Sequence, residues 1–187
     1  MQEVIFYDFP ITQDSTGAKE IYFENGKLQA KGNYKNGKRN GEWICYRQNG
    51  KLKWRAYYLN GKENGVTECF DENGSWRKMT VVNGKINGLT IEFITDSTGQ
   101  EVYVYGQYKE CEEAGLWIWK DKNQKIVAKQ FYNNGKRDKF HETYYDNGFL
   151  KERAYLRLGF IDSLQMFDSL GKLVDTKHYK EFTHTFK

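Results

Sequence analysis

The sequence predicts an all-β fold: an elongated antiparallel meander of stacked β-hairpins, each about 24 residues long, in a single-layer or twisted sheet. Three observations carry this expectation. The dipeptide Asn-Gly occurs eleven times and accounts for eleven of the eighteen glycines. It is the strongest short hairpin signal, because both residues accept the positive φ of a type I′ turn. The runs between these turns are five to eight residues long and rich in Tyr, Trp, Phe, Ile and Thr, as strands are. No window sustains a 3.6-residue apolar stripe, so no helix is expected.

The turns fall into two alternating series with a step of mostly 23 to 25 residues. The first has glycines at Gly26, Gly50, Gly74, Gly99, Gly148 and Gly171. Near residue 124 the segment KDKNQKIV fills the gap as a degenerate copy. The second series has Gly37, Gly61, Gly84, Gly135 and Gly159, often followed four residues later by another glycine, as at Gly41, Gly65 and Gly88.

Apolar residues keep fixed offsets from the first-series glycine. Four before it stand Tyr22, Tyr46, Phe70, Tyr144 and Phe167; two after it Leu28, Leu52, Trp76, Leu150 and Leu173; eight after it Tyr34, Tyr58, Val82, Leu156 and Tyr179. In a displaced third repeat Phe93 and Tyr108 take the corresponding roles. The even offsets place the last two sets on one strand face. The first set is expected to join that face across the hairpin.

About six such repeats fill residues 20–173. Residues 1–19, with the only proline (Pro10), are expected to form a capping strand, since proline is tolerated at sheet edges. Residues 174–187 alternate in character and read as a last edge strand, whose lysines oppose edge-to-edge association. A single hairpin is marginal in water, so neighbours must stabilise one another.

Composition fits a thin, folded sheet. Hydrophobic residues make up only 39% and the mean hydropathy is −0.86, yet aromatics reach 17%, which opposes intrinsic disorder. The net charge of +4 is spread along the chain and gives no nucleic-acid signature. No apolar run approaches the roughly 18 residues of a membrane helix. The N-terminus lacks a basic and apolar leader pattern, and three widely spaced cysteines form neither a disulfide framework nor a zinc pattern. A cytoplasmic location is the favoured expectation, although an export signal removed beforehand would leave the same N-terminus.

The stretch YKNGKRNGEWICYRQNGKLKWRAYYLNGKENG resembles the MORN-repeat variant of bacterial proteins. Its unit matches at Tyr34, Asn36, Gly37, Gly41, Trp43, Tyr46, Asn49, Gly50, Lys51 and Leu52. It recurs at Tyr58, Asn60, Gly61, Gly65, Phe70, Asn73 and Gly74, then more weakly at Tyr108, Gly115 and Trp117, and at Tyr132, Asn134, Gly135, Tyr144, Asn147, Gly148 and Leu150. Proteins of this kind are labelled the YwqK family of toxin–antitoxin antitoxins. The resemblance implies stacked antiparallel hairpins and a protein-interaction role. Cys111 and Lys139 depart from it by replacing glycines, and longer or bent turns are expected there.

The sequence offers little chemistry. No G-x-S-x-G, phosphate loop or dinucleotide fingerprint is present, and no cofactor or metal is expected. His141 aligns with Trp43 and Trp117 in the repeat; His178 and His184 fall in the last strand. Cys45 and Cys69 share one repeat position, two strand spacings or roughly 10 Å apart, too far for a disulfide. Glu112 and Glu113 read as a solvated turn. The residues put forward as partner contacts, on aromatic character and placement near the second turn series, are Trp43, Trp117, Trp119 and His141. Lys35, Lys38, Arg39, Lys62, Lys136 and Arg137 line one edge. They give two alternatives to a solvated rim: steering an acidic protein partner, or holding anionic lipid headgroups. The expected function is a non-enzymatic interaction scaffold, with a membrane-surface module as the alternative. Oligomeric state is open between a monomer and an edge-paired dimer.

Overall fold

In the computed structural model, residues 16–95, 99–157 and 159–179 are described. All the regular elements among them are strands, joined in one antiparallel sheet. The strands are β1 Gly17–Tyr22, β2 Leu28–Lys35, β3 Lys38–Tyr46, β4 Leu52–Leu59, β5 Lys62–Glu63, β6 Gly65–Phe70, β7 Trp76–Val82, β8 Lys85–Thr95, β9 Glu101–Lys109, β10 Glu112–Asp121, β11 Ile126–Asn133, β12 Lys136–Tyr144, β13 Leu150–Arg157, β14 Phe160–Phe167 and β15 Leu173–His178. Each pairs with the next in sequence, except that the short β5 and then β6 both pair with β4. Pro10, His184 and most of the expected N-terminal cap lie outside the described residues.

The two turn series have different geometries. At Asn36–Gly37, Asn60–Gly61, Asn83–Gly84 and Asn134–Gly135 both residues have positive φ, which is the type I′ turn. At Gly26, Gly50, Gly74, Gly148 and Gly171 only the glycine does, and its N–H donates to the carbonyl three residues earlier. That is a type I turn followed by a left-handed residue, not the type I′ turn that Asn-Gly suggests. The asparagine acts through its side chain instead: Asn25, Asn49, Asn73 and Asn147 accept from the backbone N–H two residues on. The degenerate copy keeps this turn, with Gln124 at φ 65° in the glycine position.

The type I′ turns are stitched to one another. Gly61, Gly84, Cys111 and Gly135 donate their N–H to the carbonyls of Arg39, Glu63, Ile86 and Glu113, each two residues beyond the preceding turn. This line of bonds holds the Glu110–Cys111 turn at the standard two-residue length, contrary to the expected longer or bent turn. Cys111 takes φ 70° and Lys139, at the following bulge, φ 60°. Glu112 and Glu113, read as a turn from sequence, therefore open β10. Left-handed backbone costs a residue with a Cβ roughly 1–2 kcal/mol. Cys111→Gly and Lys139→Gly should each stabilise the fold, by about 0.5–1 kcal/mol after glycine's own entropic cost. Urea midpoints that fall or stay put in both variants would contradict this strain.

The buried residues form a seam on one face. Trp43 faces Ala56 across β3–β4; Thr67, Met79, Thr90 and Gly106 follow in line across β6 to β9; Trp117, Gln130, His141 and Ala154 continue it across β10 to β13. All of these residues are buried except His141, which is half-buried. Substantial contacts run only between paired strands, so same-face neighbours must supply the covering. A parallel row places Trp54 between Cys45 and Cys69, whose thiols are free.

Two sequence-based placements shift. Val81, not Val82, occupies the buried position in the third repeat. The other first-series hairpins with a described strand pair carry a bulge beside the turn, whereas β6–β7 and β8–β9 pair without one. The missing residue moves the seam back by one. Tyr144 lies on the opposite face, where its hydroxyl donates to Glu142 and Lys129 sits over its ring. That face carries a charge ladder: Glu68 bridges Arg55 and Lys78, and Glu142 pairs with Arg153.

Candidate functional site

Three copies of the seam's repeat, at Gly32–Trp43, Gly106–Trp117 and Gln130–His141, differ in how they are filled. In the first, the Trp43 indole lies flat over Gly32, so close that a Cβ there would stand 2.2 Å from the ring. Tyr34 meets it edge-on with centroids 5.0 Å apart, and the Arg39 guanidinium lies over the Trp43 and Tyr58 rings at 5.1 and 5.3 Å. The indole N–H donates to the Asn33 carbonyl at 3.0 Å. Trp43 is 0% exposed. Trp43, put forward from sequence as a partner contact, is therefore not a free surface ring, because Arg39, Tyr34 and Tyr58 cover it.

The second copy repeats the packing with Gly106 beneath Trp117, again 2.2 Å from a hypothetical Cβ. Tyr108 and Tyr132 meet this indole edge-on, and Trp119 is tilted against it. Trp117 is 5% exposed, and its buried indole N–H has no partner.

In the third copy the pair changes. Gln130 stands in the place of Gly32 and Gly106, and His141 in the place of Trp43 and Trp117. Arg137 pairs with Tyr132 as Arg39 pairs with Tyr34, but Leu156 replaces Tyr58. Both rings that would lie under this arginine are gone. The result is a groove of about 280 Å³ lined by Trp119, Ala128, Gln130, Tyr132, Arg137 and His141. Gln130 is 1% exposed; its amide donates to the Phe131 and Phe140 carbonyls at 2.7 and 3.1 Å, while its oxygen has no partner. The buried His141 Nδ1 and Thr143 hydroxyl are also unpartnered.

Burial first, and then the nearby Arg137 charge, push His141 below the ordinary histidine value of 6.5, against Glu152 and Glu142. The imidazole is neutral at pH 7 and can serve as donor or acceptor. The unfolded chain binds this proton more readily, so stability is lost as pH falls through 6.5. His141→Gln should flatten the decline below pH 6.5. An unchanged slope in thermal melts would show that His141 is not its source.

Two of the four sequence-based candidates, Trp119 and His141, thus line this groove; Trp117 is buried in the second copy against Trp119 and Tyr132, and Trp43 lies in the closed first copy. Sequence reasoning did not single out Gln130 or Tyr132 as contacts. The signal was available in the repeat register, since Gln130 occupies a glycine position. His178 stands exposed on β15, away from the groove. Among the described residues no His, Cys, Asp and Glu group could hold a metal, and no helix is long and apolar enough to cross a membrane.

A family model described as the MORN repeat variant matches residues 15–36 and 39–60. Those segments hold β1, β2, β4 and all of β3 but its first residue, with the turns at Gly26 and Gly50 and the complete Trp43 unit, and the type I′ turn at Asn36–Gly37 joins them. Over these two segments the chain is similar to MORN-variant repeats. The hairpin geometry of the matched units continues through the later strands. No curated protein matches the chain in sequence. The MORN repeat is a non-catalytic repeat module.

Proposed function

We propose that this protein is a non-enzymatic scaffold of MORN type that takes a protein partner on its seam face, with the third-copy groove as the contact. The supporting observation is the local opening of an otherwise covered seam: a cation that lacks its rings, two half-buried aromatic walls and unpartnered polar atoms at one point. Aromatic residues and arginine dominate binding hot spots. MORN repeats generally mediate protein or membrane interactions. An antitoxin- or immunity-like role, with a cytoplasmic location, is one form of this proposal and rests on the resemblance to YwqK-type proteins. Affinity capture at physiological and high salt tests it. A near-stoichiometric protein that survives high salt supports the scaffold. A toxic partner supports the antitoxin form.

A membrane-surface role is the second reading, favoured by one observation. Lys38, Lys62, Lys85 and Lys136 each directly follow a type I′ turn and so line the stitched edge of the sheet. Each basic residue near an anionic surface contributes about 1 kcal/mol. Co-sedimentation with liposomes that rises with phosphatidylserine content supports this reading. Co-sedimentation insensitive to it counts against.

A further inference from the structure

We infer that the third-copy groove is a subsite for a carboxylate carried on an extended acidic segment of a protein partner. The inference rests on the scaffold reading and names the chemistry that the groove selects. The argument starts from Arg137. Its counterpart Arg39 lies over two rings, Trp43 and Tyr58. At Arg137 those rings are replaced by His141 and Leu156, and the guanidinium forms no ion pair or hydrogen bond among the described residues. It is exposed and lines the groove. A planar guanidinium presents paired N–H donors that match a carboxylate. The rest of the lining suits a carbon stem: Trp119, Ala128 and Tyr132 are apolar or aromatic, and none of the lining residues is a carboxylate.

The groove has the length of a short strand. It follows β11 from Ala128 to Tyr132, which is about 13 Å at the usual rise per residue. Trp119 pairs with Ala128 at one end, and Arg137 pairs with Tyr132 at the other. An extended segment laid along it sets alternate side chains on the sheet, so an apolar residue four positions from an acidic one reaches both ends. A free carboxylate such as acetate would satisfy only Arg137. The two-ended lining favours the peptide.

The test uses the full chain and two acetylated, amidated peptides, Ser-Leu-Ser-Ser-Ser-Glu-Ser and its glutamine counterpart, titrated under NMR observation. The glutamate peptide should shift the indole N–H signals of Trp117 and Trp119 and the ring signals of His141. The glutamine peptide should bind at least about fivefold more weakly, the scale of a lost charge-assisted pair. Arg137→Gln should abolish the difference between the peptides. Lys136→Gln removes the same charge one residue away and should leave both affinities within about twofold, as expected of an exposed charge. Absent shifts, equal binding of the two peptides, or equal losses in the two variants would each overturn the inference. Partner capture separates the two claims: a partner retained by Arg137→Gln upholds the scaffold and removes the carboxylate subsite, whereas specific peptide binding without a captured partner does the reverse.

Discussion

Trp43→Ala should lower the free energy of unfolding by about 3–5 kcal/mol, the usual cost of deleting a buried large aromatic. The indole is 0% exposed and holds four neighbours in place at once. It stacks on the Gly32 backbone, meets Tyr34, lies beneath Arg39 and satisfies the Asn33 carbonyl. The other side of a single sheet cannot collapse into the resulting cavity, since substantial contacts run only between paired strands. Urea denaturation followed by circular dichroism measures the loss. A change below about 1 kcal/mol, the level of a surface substitution, would show that the ring is not the seam's centre.

Gly32→Ala should cost about 1–3 kcal/mol for overpacking, although it adds only one methyl group. The added Cβ would stand 2.2 Å from the Trp43 ring, and the indole is wedged by Tyr34 and Arg39. Gly32 does not have positive φ, so backbone strain is not the cause. A double-mutant cycle isolates the contact: once Trp43 is alanine, Gly32→Ala should cost much less and gain from a β-strand position better suited to alanine. Equal costs in both backgrounds would refute ring-on-backbone packing. Gly106 and Trp117 offer the same cycle in a second copy.

These two effects show what the sequence could and could not disclose. The all-β meander was legible because Asn-Gly turns and short aromatic runs act locally. What went astray depends on one-residue register. Val82 was placed on the buried face, but the third repeat lacks one bulge and Val81 takes the position. Tyr144 was assigned to the seam, but the first-series bulge turns it to the face of Glu142 and Lys129. Trp43 looked like a contact because its covering comes from Arg39 on its own strand, Tyr34 on one neighbour and Tyr58 on the other. His141 aligns with Trp43 and Trp117 in the sequence repeat. Its meaning depends on Gln130 and Leu156, one on each flanking strand, and so became visible only with the strand pairing.

The central claim is that partner binding uses the one copy of the seam that is left open. Gln130→Gly combined with His141→Trp should restore the closed arrangement of the other copies. The most direct measurement is affinity capture from lysate of the source cells with this double variant and the wild type in parallel, at physiological and high salt, after melts show both to be folded. A partner held near-stoichiometrically by the wild type and lost from the closed variant is the predicted result. A partner retained equally by both proteins would contradict the claim.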